Sequence, residues 1–269
     1  MMPEKGIFTG ISPSTREKLA SNIAAMAEHP HVLITAGNTL ERIDDVRQWN
    51  NIFTGRTGLD IATKMLDVAD VTLLTSNAEH VKYACGIRGN AGALNTLGFR
   101  SHSELIALIP QCLSQKNYRG VFMTAAVSDY IPDGVFRIIS STPIPDSNPP
   151  QANWVVENVQ AAKVKGNHQL IAVRGVQSEK IIDLFRTQWN YRGLLYKFKL
   201  EVAMSEDELI RIAGESRIQS RADVIVANTL QMVQGNDPGA WIIDGHNSRR
   251  VVRKQLAGTL VDDFLNRIK

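Results

Sequence analysis

Val32-Leu33-Ile34-Thr35-Ala36-Gly37 is an apolar run that stops on a glycine, the pattern of a buried strand handing the chain to a tight turn. In an open α/β sheet such a turn lies at the carboxyl end of its strand, where the ligand crevice opens. The strand is expected over 31–35, and runs of the same apolar, strand-length character recur at 71–75, 120–124, 194–198 and 223–227. Between them apolar residues fall at helical spacing over 58–68, 102–114, 178–189 and 205–219, some of these segments opening on serine. Strands alternating with helices predict a parallel sheet covered on both faces. Toward the end, 241–244 and 249–252 flank an Asp244-Gly245 turn signal and predict a hairpin, followed by a helix over 255–268. Upstream, Ser14 and Glu17 form a capping box ahead of Leu19, Ile23 and Met26, which predicts a helix over 14–27. The expected architecture is α/β, a three-layer Rossmann-like and mostly parallel sheet with a C-terminal hairpin. It divides into an N-terminal helical extension (1–30) and one α/β domain (31–269). Residues 128–165 interrupt the rhythm with five prolines and many small polar residues, and predict a long loop.

Composition narrows the function classes. The 269 residues are 43% hydrophobic and 21% charged, ordinary values for a globular protein of enzyme size. A formal charge of +3 is too mild for a protein that neutralises many nucleic-acid phosphates, so no nucleic-acid partner is expected and a small anionic ligand fits better. The longest apolar stretch, 121–127, is far below the ~18 residues of a membrane span. Cys85 and Cys112 are the only cysteines and stand far apart, which excludes a disulfide framework or a cysteine-rich zinc site and makes the cytoplasm the expected compartment. The six histidines show no metal-ligand spacing, and no GxSxG elbow is present.

Several segments carry chemistry. After Gly37 a dinucleotide fold would continue at once as GxGxxG, yet the next glycines are Gly55 and Gly58. A Walker loop also fails, because Asn50 stands where its first glycine is required, and no tyrosine has a lysine four residues on. An oxidoreductase is therefore disfavoured. What remains is Thr54-Gly55-Arg56-Thr57-Gly58 entering a helix, where free N–H groups and the helix dipole favour an anion; close strand-to-helix packing would use the same glycines. In Thr124-Ala125-Ala126-Val127-Ser128-Asp129 small residues end a buried strand and let a flat ligand lie against backbone. Asp129 then either accepts ribose hydroxyls or Mg²⁺, or only caps the loop through an Asx-turn. Lys163-Val164-Lys165 can close over phosphates or be simply solvated. The same two readings hold for Arg249, Arg250, Arg253 and Lys254. Phe198-Lys199-Leu200-Glu201 and Ala227-Asn228 each finish a strand on the same crevice edge.

In chain order these segments resemble the phosphopantothenate–cysteine ligase (phosphopantothenoylcysteine synthetase) family of coenzyme A synthesis, from about residue 31 to the C-terminus. The first motif is approached by Val32 to Gly37, Thr39, Ile43-Asp44, Val46-Arg47, Asn51, Gly55 and Gly58 without a gap; Ala125 to Tyr130 resembles the second, and Lys163-Val164-Lys165 the lysine flap. The Phe198-Lys199-Leu200-Glu201 run is similar to monofunctional and eukaryotic members, so no fused flavin domain is expected, and ATP is favoured over CTP. The resemblance implies a ligase joining 4′-phosphopantothenate to cysteine through an acyl-nucleotide, with Mg²⁺ and ATP or CTP. By it Asn51, Arg47 and Lys163 are catalytic; Gly37, Gly55, Arg56, Gly58, Ala125, Ala126, Asp129, Phe198 and Asn228 bind the nucleotide; and the excursion mediates a homodimer. It leaves the metal ligands unassigned. The chain departs from the family pattern at Asn38, at Lys197, where small residues are usual, and at Glu215 and Gln219, where relatives commonly carry lysines. These changes keep two rivals open: a relative acting on another carboxylate, and a non-catalytic nucleotide-binding protein with the same fold.

Overall fold

The computed structural model describes residues 29–84, 92–235 and 237–269. The helix expected over 14–27 lies outside these. Each of the five apolar runs is a strand: β1 (His31–Ala36), β4 (Asp70–Thr75), β6 (Tyr118–Met123), β10 (Leu194–Glu201) and β11 (Val224–Thr229). With β5 (Leu94–Gly98) and the hairpin β12 (Gly239–Ile243) and β13 (Ser248–Val252), they form one eight-stranded sheet in the order β13-β12-β11-β10-β6-β1-β4-β5. β5, β4, β1, β6, β10 and β11 run parallel, and only the terminal hairpin is antiparallel. The expected three-layer, mostly parallel architecture is the one observed.

Alternation along the strands builds a core on each face. Val32, Ile34, Phe122, Tyr196 and Val226 pack against α1 (Arg56–Met65) and α7 (Arg253–Ile268). Phe122 and Tyr196 stack there with ring centroids 4.1 Å apart. Leu33, Val121 and Leu195 pack against α3 (His102–Gln115) and α4 (Ile181–Thr187), while Ile225 and Ala227 pack against α5 (Glu206–Ser220) and α6 (Leu230–Gln234). Each fully buried aliphatic side chain contributes about 1.5–3 kcal/mol relative to exposure. Helix α2 (Ala78–Ala84) covers the β5 edge. Among the described residues no helix is long and apolar enough to cross a membrane.

One expectation is overturned. Residues 128–165 are not a loop: they hold β7 (Tyr130–Ile144) and β8 (Gln151–Asn158), which with β9 (Ile171–Gln177) make an antiparallel three-stranded arm in the order β8-β7-β9. The prolines that read as loop signals sit where a ladder tolerates them. Pro132 lies at a register shift, and Pro143 lies in the outer part of β7 opposite Ala152. A second small hairpin, β2 (Leu40–Arg42) and β3 (Gln48–Asn50), separates β1 from α1. Its Trp49 lies over Gly175 of β9, where an added Cβ would meet the ring at 2.9 Å.

Candidate active site

β1 and β6 are the neighbours at which the strand order reverses: from β1 the chain builds outward through β4 and β5, and from β6 through β10 to β13. Connections there leave in opposite directions, so the carboxyl ends part and a crevice opens. The crevice has a volume of about 800 Å³, enough for a substantial small-molecule ligand.

Two glycine turns form one lip. Gly37 (φ +88°) ends β1 and Gly55 (φ +83°) caps α1. A Cβ on Gly55 would fall 1.9 Å from the Gly37 nitrogen, so the two turns lie backbone on backbone. Gly55 supplies no side-chain cap; the first-turn N–H groups of α1 and the positive end of its dipole are therefore presented beside the Arg56 guanidinium. Gly58 has the other role foreseen for it. An added Cβ would meet Thr124 Oγ1 at 2.4 Å and Ala36 Cβ at 2.7 Å, so it lets α1 pack down on the strands behind the cleft.

The opposite lip is the backbone after β6. Ala126 N–H donates to the Gly37 carbonyl (2.9 Å), Thr39 N–H donates to the Ala126 carbonyl (3.2 Å), and Ala125 N–H donates to Thr35 Oγ1 (3.1 Å). Asn51 bridges the lips. Its Nδ2 donates to the Ala126 carbonyl (3.1 Å) and the Val127 carbonyl (3.4 Å), while its backbone carbonyl accepts from Asn38 Nδ2 and from Asn50 Nδ2 (2.9 Å). Among the described residues Oδ1 accepts no hydrogen bond, so it is the amide atom left for a ligand. Asn38, a departure from the family pattern, earns a structural role here by holding Asn51.

Asp129 pairs with Lys180 at the rim. The segment carrying Lys180 is fixed by Ser178, whose Oγ donates to the Ser128 carbonyl (2.6 Å), and by buried His102, whose Nε2 donates to the Glu179 carbonyl (2.7 Å). On the far wall, Lys199 pairs with Glu201 (2.6 Å) and Arg253 with Asp60 (2.9 Å). Lys197 Nζ donates to the Ser216 carbonyl (3.0 Å) and Ser220 Oγ (3.2 Å). Burial pushes its pKa down; Asp183 opposes that shift, and Lys199 and Lys180 add to it.

Of the residues expected in the site, Gly37, Asn51, Gly55 and Arg56 line the cleft from one side. Ala125, Ala126, Asp129, Phe198 and Asn228 line it from the other. Arg47 and Lys163 are not in its lining. The Arg47 guanidinium is bound to Asp44 and to the Val164 carbonyl (2.7 Å), and Val164 N–H donates to Asp44 Oδ2 (3.1 Å). This clasp ties the β2–β3 turn to the return of the arm. The Arg47 guanidinium holds the Asp44 carboxyl far below the ordinary carboxylate range. Lys180, Lys197 and Arg253 line the cleft together with Arg56 and Lys199. Lys180 had no motif to mark it: β9, which delivers it to the rim, is largely exposed and lacks the apolar run of a buried strand. Arg253 had been visible only as one of four basic residues.

Residues 27–137 match the model of the DNA/pantothenate metabolism flavoprotein C-terminal domain family. That segment contains both lips of the cleft. The chain is 28% identical over 243 residues to the coenzyme A biosynthesis bifunctional protein CoaBC of Thermococcus kodakarensis; the match covers 88% of this chain and 51% of the relative, so the chain spans about half of that protein's length. The fold is that of the DNA/pantothenate metabolism flavoprotein from Streptococcus pneumoniae, with a TM-score of 0.67, 22% identity, and 89% of this chain and 99% of that one covered. It is likewise similar to a Cab2 variant in complex with phosphopantothenate-cysteine, with a TM-score of 0.61, 15% identity, and 96% and 95% covered.

Proposed function

We propose that the protein is a cytoplasmic ligase that joins 4′-phosphopantothenate to cysteine with ATP or CTP, releasing pyrophosphate. The observation that carries this reading is Asn51, clamped between the Gly37–Gly55 turns and the 126–127 backbone with one acceptor left for a ligand. In the proposed reaction the acid's carboxylate oxygen attacks the α-phosphorus and pyrophosphate leaves, giving an acyl-nucleotide. The cysteine amine then attacks the acyl carbon, losing its proton, and the nucleoside monophosphate departs. Charge develops first on phosphates and then on a tetrahedral oxygen, so positioning and fixed positive potential are the main contributions the chain can make. The α1 N-terminus with Arg56 receives the phosphates. Asn51 Oδ1 accepts a hydrogen bond from the incoming amine and sets its direction of attack. Ala125 and Ala126, having almost no side chain, let the nucleotide lie against backbone beside Phe198.

Mg²⁺ fits as a cation that arrives on the triphosphate. Among the described residues no group of three or more His, Cys, Asp or Glu stands together, and Mg²⁺ is commonly held by one or two carboxylates plus substrate phosphates. Asp129 and Asp183, both in the cleft lining, would share it, and it would lower the phosphates' negative charge. The arm is the proposed dimer contact.

The test is to incubate the protein with Mg²⁺, phosphopantothenate, cysteine and either nucleotide, and to measure pyrophosphate and product mass. Pyrophosphate with a phosphopantothenoylcysteine mass is expected; no pyrophosphate with either nucleotide overturns the reading. Asn51→Ala should lower turnover about a hundredfold or more, and unchanged turnover removes Asn51 from the mechanism.

A further inference from the structure

Among the described residues five cations and three carboxylates line the cleft. Three of the cations are already paired with carboxylates: Lys180 with Asp129, Lys199 with Glu201 and Arg253 with Asp60. Arg56 makes no ion pair among the described residues but is exposed, so water solvates it. Lys197 differs. It is half-buried, both its hydrogen-bond partners are neutral, and no carboxylate pairs with it among the described residues.

A half-buried ammonium with no carboxylate paired to it is costly, and a small side chain at this position would avoid the cost. The helix does not require it either, since the Ser216 carbonyl already accepts from Ser220 Oγ at 2.9 Å. Of the three ammonium donors, two go to α5 and one remains. Tyr196 and Phe198, on either side in sequence, face the core under α1 and α7. Lys197 faces the other way, onto α5, beside Ser216 and Gln219 of the same wall. Arg56 and Lys197 therefore stand on opposite sides of the sheet edge, two unpaired cations across one cleft.

We propose that Lys197 is a specificity-determining residue that binds a phosphate group of the ligand on the α5 side of the cleft. The inference deepens the ligase reading and rests on it only for naming the two phosphate-bearing ligands, the nucleoside triphosphate and the phosphorylated acid. Binding is measured by calorimetry for ATP, CTP, adenosine, 4′-phosphopantothenate and inorganic tripolyphosphate, on the wild type and on Lys197→Met and Lys197→Arg. Lys197→Met should weaken one phosphate-bearing ligand about ten- to a hundredfold, as loss of a charge-assisted hydrogen bond does, and leave adenosine unchanged. Lys197→Arg should stay within about threefold of wild type.

The groups facing Lys197 are Asp183 from α4, Lys180 before it, Lys199 on its own strand, and the neutral Ser216 and Ser220 of α5. The ammonium form is the binding form, so wild-type affinity falls as pH rises through the titration of Lys197, ahead of ordinary lysines. The arginine variant should show no such fall. If Lys197→Met fails to fold, Lys197→Gln is scored in the same way. Unchanged binding of every phosphate-bearing ligand, or equal weakening of ATP and adenosine, overturns the proposal. Pyrophosphate release together with unchanged Lys197→Met binding sinks it while sparing the ligase reading. Lys197-dependent tripolyphosphate binding without any turnover does the reverse.

Discussion

Gly55 and Gly214 show how one residue type carries opposite consequences. At Gly55 the backbone is left-handed and an added Cβ would lie 1.9 Å from the Gly37 nitrogen. Alanine there incurs about 1–2 kcal/mol for the conformation alone, plus the clash. Gly55→Ala should therefore lower unfolding free energy by at least ~2 kcal/mol in urea titrations and weaken nucleotide binding. Gly214, inside α5, has nothing within 4 Å of an added Cβ. Gly214→Ala should raise stability by about 0.5–1 kcal/mol through helix propensity; a loss there would refute the packing described. Gly37 and Gly55 were legible because a strand end followed by spaced glycines has few physical uses, whereas Asn51 was singled out only by the family resemblance. Lys197 was legible only as an oddity. Its significance depends on which neighbours lack a carboxylate, and that is a property of the packed wall and not of the strand's own residues.

Elements differ in how openly their sequence declares them. Hairpin β12–β13 was readable because Asp-Gly is a turn signal, and the structure adds why the aspartate matters. Asp244 accepts from the N–H groups of His246 and Asn247, both at 2.8 Å, and pairs with Arg267 at 2.5 Å. Burial pushes its pKa up, but these hydrogen bonds and the arginine outweigh burial and hold it at about 2, below the ordinary 3.8. A carboxyl lowered on folding stabilises the fold above its unfolded pKa and loses that contribution as pH falls through the folded value. Asp244→Asn should flatten the decline in melting temperature between about pH 4 and pH 2. An unchanged slope would rule the turn out as an acid-sensitive element. The arm, in contrast, was hidden by its prolines, and the clasp that seats it joins residues more than a hundred positions apart. Asp44→Asn should speed amide hydrogen exchange at Val164 and Asp45, whose N–H groups are bonded across this seam. Exchange no faster than in wild type would show that the arm is held elsewhere.

At the scale of the whole molecule, the arm is what the sheet's own core does not account for. Trp154 and Val155 are 57% and 58% exposed, and successive residues of a strand point to opposite faces, so both faces of β8 present apolar surface to water. Ile139 and Val156 extend it, and β8 is also an outer strand with an unpaired edge. Surface of this kind ordinarily marks an interface. The arm leaves the cleft right after Asp129 and returns to it just before Ser178, both of which line the cleft. A second copy seated on the arm would therefore press on the elements that carry Asp129 and Lys180. Dimerisation and turnover should then be coupled. Trp154→Glu places a charge on one face and Val155→Glu on the other, and the face that meets the partner is the one whose substitution shifts the light-scattering mass from two chains to one. Truncating a central aromatic contact commonly costs an interface ~2 kcal/mol or more, about thirtyfold in dissociation constant, so the shift should appear at micromolar protein. The monomeric variant should keep its melting temperature, because the arm's exposed residues contribute nothing to the sheet core, yet lose turnover in proportion to the monomer fraction. A wild type that scatters as a single chain at every concentration, with full activity, would detach the arm from both assembly and catalysis.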